Sequence, residues 1–392
     1  MSGGRADRVA ALARQAGRLM AVFGQAGYRE VAPDILQPAD AFFNWSGEEI
    51  RRRSYIFTDL DGEELCLRPD LTIPTCRLHL AGDGDGAEPA RYCYLGPAFR
   101  YQPGGQTPQN PREFEQAGIE YFGAPDREAA EAEVFALSCE ALRAAGLPQA
   151  SIQLGDLGLF AALIDGLAMP GRWRRRLKQS FWRARALRDV LNAVGPRSRR
   201  LSDDPLDALM SKLAGASADD GRALVARELE ARNVPLAGGR TLEEITARLM
   251  EQAADLAAEP LSDDQVRLIV GYVDVSAAPR AALDTIAGLD RDAGLRMSAA
   301  LEAFARRLDL IEQAGCDLAT ARFDAEFGRN LEYYTGFVFQ FEVTALGSAG
   351  RIAGGGRYDT LLRSLGASGK IPAVGCAIHT ERLLAAASGV GR

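Results

Sequence analysis

Tyr92-Cys-Tyr-Leu-Gly-Pro-Ala-Phe-Arg100 and, after a Gly/Pro/Gln/Asn loop, Arg112-Glu-Phe-Glu-Gln116-Ala-Gly-Ile-Glu120-Tyr-Phe-Gly123 carry the reading of this 392-residue chain. The first run is apolar and the second alternates polar with apolar residues, the pattern of two antiparallel strands joined by a long hairpin. Arg100, Gln116 and Glu120 fall on strand positions that can converge on one face. An arginine, an amide and a carboxylate in one concave sheet suit a zwitterionic amino acid. The arginine takes a carboxylate bidentately, and the acid takes an ammonium or a ring N–H.

Working outward, the pattern predicts an amphipathic helix over 7–25, with Val9, Leu12, Leu19, Val22 and Phe23 on one stripe and Gly27 closing it. Residues 27–36 read as a strand, 65–67 as a short strand and 72–80 as a helix. Pro125-Asp126 caps a helix that ends near Gly146, and 152–154 is another strand. From 157 to 314 alanine, leucine, arginine and acids dominate and alternation nearly vanishes. Thr241-Leu-Glu-Glu244 and Ser262-Asp-Asp-Gln265 have the form of capping boxes. This stretch reads as a helical insertion between two halves of one core, 1–156 and 315–392. The second half holds strands at 337–343 and 351–353 and a last helix from Thr380.

Composition narrows the function. A charged fraction of 25% and a hydrophobic fraction of 47% describe an ordinary core-forming chain. No apolar run approaches a membrane span, and the N-terminus lacks the apolar centre of a signal peptide. Six cysteines (Cys66, Cys76, Cys93, Cys139, Cys316, Cys376) without a CxxC spacing read as reduced thiols in a cytoplasm. With only His79 and His379 besides, no metal site is expected. The net charge of −7 disfavours a protein whose main business is gripping a phosphodiester backbone. The basic stretch 172–200, with Trp173, Phe181 and Trp182 interleaved, is read as a packed face with a solvated flank rather than a tRNA site. Gly369-Lys370 is followed by Ile371 and is no phosphate loop.

The hairpin resembles the second signature motif of class II aminoacyl-tRNA synthetases, most closely the histidyl-tRNA synthetase version. Further resemblances follow in family order: Leu67-Arg-Pro-Asp70-Leu-Thr72, Arg329-Asn-Leu-Glu-Tyr-Tyr334-Thr-Gly336, Gly354-Gly-Gly-Arg-Tyr358-Asp359, and Pro372-Ala-Val-Gly-Cys-Ala-Ile-His379-Thr-Glu-Arg382-Leu383. Residues 27–36 resemble the first motif, which in that family builds a self-dimer. The resemblance implies an α+β fold, a class II synthetase-like antiparallel sheet flanked by helices, with the helical insertion. It also implies a histidine pocket. Asp70, Thr72 and Gln116 would hold the α-ammonium, and Arg100 and Arg329 would face the carboxylate. Glu120 and Tyr334 would bracket the imidazole, with Tyr358 closing the pocket. Buried Glu120 and Arg329 would each take a partner from the ligand. Taken alone, Asp70 reads equally as a helix cap, Glu120 as an outward strand residue, and 354–356 as a turn or bulge.

The nucleotide half departs from the family. His379 stands where the family places a glycine, and its ring would fill the space left for adenine. Gln102 replaces the acid after Phe-Arg-x, and 104–111 carries no charge to meet ATP phosphates. Ten residues follow Arg382, where a histidyl-tRNA synthetase continues into an anticodon-binding domain. Together these features resemble the family of ATP phosphoribosyltransferase regulatory subunits. That resemblance implies a cytoplasmic, non-catalytic chain without a cofactor, paired in a hetero-oligomer with the short-form catalytic subunit and answering to L-histidine as effector. The rival readings are a truncated ligase forming histidyl-adenylate and a tRNA-binding sensor.

Overall fold

The computed structural model describes residues 2–43, 47–82, 86, 88–107, 110–181, 183–196, 205–233, 241–328 and 333–389. Its strands are β1 (Arg29–Glu30), β2 (Leu36–Pro38), β3 (Tyr55–Thr58), β4 (Glu64–Leu67), β5 (Ala90–Phe99), β6 (Glu113–Phe122), β7 (Ser151–Asp156), β8 (Ser276–Ala277), β9 (Ala321–Asp324), β10 (Phe337–Glu342), β11 (Arg351–Arg357) and β12 (Ala373–His379). Nine of them form one sheet in the order β1-β5-β6-β12-β11-β10-β7-β9-β8, and β2-β4-β3 form a second. The centre of the large sheet is antiparallel throughout; only β1 with β5 and β7 with β9 run parallel.

The hairpin pairs in register from Ala90 opposite Phe122 to Phe99 opposite Glu113, and β12 lies on the far side of β6 with Gly375 opposite Glu120 and His379 opposite Gln116. Strand alternation therefore puts Phe114, Gln116, Gly118, Glu120 and Phe122 on one face. That face carries a cluster of Tyr92, Phe122, Ile73, Tyr334, Val338 and Tyr358. On the other face the Arg127–Ala144 helix inserts Phe135 against Phe337, Phe339 and Phe341, with ring centroids 5.1–6.3 Å apart. Asp126 caps this helix by accepting from the Ala129 N–H, as its position before Arg127 predicts.

Several expectations need correction. The first helix spans Ser2–Gln25, and Val9 is 60% exposed; Ala16, Leu19, Val22 and Phe23 form the buried stripe. Residues 27–36 are not one strand: Pro33 donates no N–H, and the segment gives β1 to the large sheet before entering β2 of the small one. Glycines 354–356 are neither turn nor bulge but the middle of β11, paired on both sides. Within 157–314, which was expected to be helical, β8 pairs with β9.

Compact grouping of the chain gives one unit from 1–166 with 271–392 and a second from 167–270. The Pro279–Ala293 and Ser298–Gln313 helices thus belong with the sheet. The second unit is helical, with a core of Leu209, Met210, Leu213, Val225 and Ala253. Both capping boxes form as spaced, Thr241 with Glu244 and Ser262 with Gln265. In its basic stretch Trp173, Leu177 and Phe181 are buried. Asp255 accepts from Trp173 Nε1 at 2.6 Å and Arg176 at 2.8 Å, and also from Arg172. Trp182 and 197–200 of that stretch lie outside the described residues. Among the described residues, no helix is long and apolar enough to cross a membrane, and no group of three His, Cys, Asp or Glu side chains could hold a metal ion.

Candidate functional site

Glu120 is 1% exposed in the C-terminal half of β6. Its carboxylate accepts from the Tyr94 hydroxyl at 3.0 Å and from the Tyr358 hydroxyl. The outward-facing reading of Glu120 is therefore wrong, and so is the idea that a ligand must supply its partner. Two tyrosines do so already, and Tyr94 reads in the sequence only as one more apolar strand residue. Burial pushes the Glu120 carboxyl up to about 8, against the opposing hydrogen bonds of Tyr358, Thr72 and Tyr94. Two glycines make room for this arrangement. A Cβ on Gly375 would overlap the Glu120 carboxylate, and one on Gly118 would overlap the Tyr94 ring.

Asp70 and Thr72 enter from the segment after β4. Asp70 Oδ1 accepts from the Thr72 and Ile73 N–H groups at 3.1 and 3.4 Å, capping the Thr72–Leu80 helix as one of the two readings required. Its other oxygen, buried and without a hydrogen-bond partner, leaves room for the second. Burial raises this carboxyl as well, with Arg100 and the two N–H groups acting the other way. Gln116 Oε1 is taken by the Leu71 N–H at 2.8 Å, and Arg100 Nε donates to the Pro69 carbonyl at 2.7 Å.

These residues line one cavity together with Tyr334 and Tyr358. Seven of the eight residues named from the sequence thus converge: Asp70, Thr72, Arg100, Gln116, Glu120, Tyr334 and Tyr358. Arg329 lies outside the described residues. Tyr333, Gly354, Gly375, Cys376 and Ala377 complete the lining and carried no signal of their own. Tyr333, Tyr334 and Tyr358 form an aromatic wall of tilted and edge-to-face contacts, with centroids 4.8–6.3 Å apart. The enclosed space is about 40 Å³, room for about three water molecules.

Tyr358 is fixed from both sides by buried ions. Arg357 pairs with Glu131 and, at 2.8 Å, with Asp359; Glu131 also receives Arg307, which reaches Asp156 at 2.7 Å. Asp359 accepts in addition from the Ala373 N–H and from Arg127. All are buried except Arg127. Such a network is costly to break, because removing one ion strands its partner.

Four residues along β6 and β12 the character changes. The His379 ring lies parallel on Phe114, with centroids 4.2 Å apart and planes 7° apart, and its Nδ1 is 3.4 Å from Glu381. Burial lowers the imidazole to about 4, so it is neutral near pH 7. Around it, burial and the charges of Arg100, Arg351 and Arg53 pull Arg382 down to about 10. Arg382 donates to the Arg351 carbonyl and the Asn110 side chain, and Arg53 donates to Gln102 at 2.6 Å. Cationic character thus persists here, with Arg53 and Arg351 absent from the sequence reading, while an aromatic face is covered by a ring.

The model of the histidyl-tRNA synthetase family matches residues 5–262 and 239–383. A Brucella anthropi protein named ATP phosphoribosyltransferase regulatory subunit is 38% identical over 353 residues, 89% of this chain and 90% of its own. A Brucella canis protein of the same name is 39% identical over 357 residues, 90% of this chain and 92% of its own. A Bacillus halodurans structure, described as an ATP phosphoribosyltransferase regulatory subunit/histidyl-tRNA synthetase, superposes with a TM-score of 0.65 at 21% identity, over 96% of this chain and 79% of that one. A histidine–tRNA ligase subunit from Alicyclobacillus acidocaldarius gives 0.57 at 24%, over 98% and 94%. These two share the fold.

Proposed function

The chain belongs to the histidyl-tRNA synthetase family, among its ATP phosphoribosyltransferase regulatory subunits, and from that membership we propose a non-catalytic chain that senses histidine in the cavity around Glu120. Its role is regulatory and lies in histidine biosynthesis. It works in the cytoplasm as a hetero-oligomer with the short-form catalytic subunit and pairs with a second copy of itself. The observation that carries the regulatory role is the 38–39% identity to the named Brucella subunits over about nine tenths of both chains.

In the cavity, Asp70 with its open oxygen, Thr72 and Gln116 take the α-ammonium, and Arg100 and Arg329 take the carboxylate. Glu120 and Tyr334 hold the ring, and Tyr358 closes over it. What supports this reading is the convergence of seven of these residues on one cavity lined by two buried acids and an arginine. The cavity is narrow, about 40 Å³, and in this reading histidine binds the state in which its walls stand further apart. That differential affinity is what any feedback signal requires. His379, stacked on Phe114, occupies the surface that an adenine would need, and the chain makes no adenylate.

The test is reconstitution. Mixed with the short catalytic subunit, the chain should raise transferase activity, and histidine should then suppress it. Glu120→Ala should keep the activation and lose the suppression; suppression unchanged in that variant would move the effector site elsewhere. Histidine-dependent ATP–pyrophosphate exchange by the chain alone should be absent, and its detection would establish a ligase instead.

A further inference from the structure

Two cysteines stand apart from the other four. Cys66, Cys76 and Cys93 are buried thiols raised by desolvation, and Cys376 is buried in β12. Cys316 is buried too, but it and the half-buried Cys139 share a cavity of about 530 Å³ that opens to solvent and has no residue in common with the Glu120 cavity, which Cys376 lines. Its size is that of a small-molecule site. Cys139 sits on the Arg127–Ala144 helix, and Cys316 follows the Ser298–Gln313 helix just before β9. Although 177 positions apart in sequence, the two side chains meet on the wall of this one cavity and interact electrostatically, and both are free thiols. Arg143, one turn beyond Cys139, lines the same cavity.

We infer that Cys139 and Cys316 form a thiol–disulfide exchange site that reacts with low-molecular-weight disulfides and closes into an intramolecular disulfide. The roles follow from the local electrostatics. Cys316 is the nucleophile: the interaction with Cys139 and the charge of Arg143 lower its thiol, although burial opposes them. Cys139, whose thiol is raised by that same interaction, is the resolving partner. The Cys316 thiolate attacks one sulfur of the incoming disulfide, forming a mixed disulfide and expelling one thiolate. Cys139 then attacks the Cys316 sulfur, forming the protein disulfide and expelling the second thiol. One disulfide breaks, one forms, two electrons pass to the oxidant, and the two protein protons leave on the two released thiols. The bond would tie the helix that carries Glu131 to the segment entering β9.

The test uses the reduced full-length chain and oxidised glutathione, with peptide mapping by mass spectrometry without reduction. The expected product is lighter by two hydrogens and contains a peptide linking 139 to 316. It should form at least about tenfold faster than any modification of Cys66, Cys76 or Cys93. Cys139→Ser should stop at a single glutathione adduct on Cys316. A wild-type chain that ends in stable glutathione adducts without the 139–316 link overturns the inference. So does a link from Cys139 to Cys376, or equal reactivity at the three core thiols. Mapping on the wild type needs no variant to fold.

Discussion

The Glu120 end and the His379 end of the same strand pair make an instructive contrast. At the first, acids are buried and their carboxyls raised, glycines clear the space, and tyrosine hydroxyls and backbone N–H groups donate to the acids. At the second, arginines crowd together, burial and their charges lower Arg382, and a neutral imidazole lies on the Phe114 ring. Both ends are held by the same backbone pairing. One backbone ladder can therefore carry two different side-chain environments four residues apart, because each residue of a strand presents its side chain independently of the ladder beneath it.

The largest expected effect comes from the foundation of the Glu120 end. Arg357→Met leaves Glu131 and Asp359 short of a buried partner and should cost about 3–5 kcal/mol in urea unfolding. It should loosen Tyr358 and leave the His379 stack alone, so equal perturbation of both ends would dissolve the contrast. Next is the pH response. The Glu120 carboxyl titrates near 8 when folded and near 4.5 when unfolded. The folded state thus holds its proton more tightly, and this contribution to stability is complete below 4.5 and lost as pH rises to 8. The slope approaches about 1.4 kcal/mol per pH unit, and Glu120→Gln should flatten it. By the same reasoning, a histidine that binds ionised Glu120 near pH 7 should release a proton. Calorimetric enthalpies should then vary with the ionisation heat of the buffer, and buffer-independent enthalpies would count against Glu120 as the ring's partner.

Gly375→Ala should cost about 1–3 kcal/mol by forcing a methyl against the Glu120 carboxylate, read as a lowered melting temperature together with lost histidine binding. The smallest stability change belongs to His379→Gly, about 1 kcal/mol for the ring stack, yet it asks the sharpest question. Calorimetry with ATP should show binding absent in the wild type and gained in the variant. Failure to gain it would mean that more than one side chain separates this end from a nucleotide site.

Much of this architecture is legible in the chain because its signals are local. The β5–β6 hairpin shows in an apolar run followed by an alternating one, and the cap at Asp126 and the two capping boxes show in fixed short spacings. Asp70 and Glu120 stand out through their neighbours in sequence. What stayed hidden depends on residues far apart. Arg307 reaches Glu131 and Asp156 across 176 and 151 positions, and on its own helix it reads as an ordinary surface charge. Tyr94 is one of two tyrosines on β5, and only the fold shows that its hydroxyl meets Glu120. Gly118 and Gly375 matter for what they leave empty, and β8, two residues long, is too short to alternate. Arg53 and Arg351 join the His379 end from segments with no motif at all.

The pairing of β6 with β12 has a mechanical side. Gly375 opposes Glu120, His379 opposes Gln116, and the Thr380–Ala387 helix begins one residue on, with Glu381 accepting from the Glu115 N–H. The two rungs sit about 14 Å apart on a strand that neither stretches nor slips without inverting its faces. β12 is thus a stiff rod rather than a hinge. A ligand that pushes on the Gly375 rung bears on a backbone that runs straight into the Thr380–Ala387 helix, which makes that helix a natural place to attach a probe of occupancy.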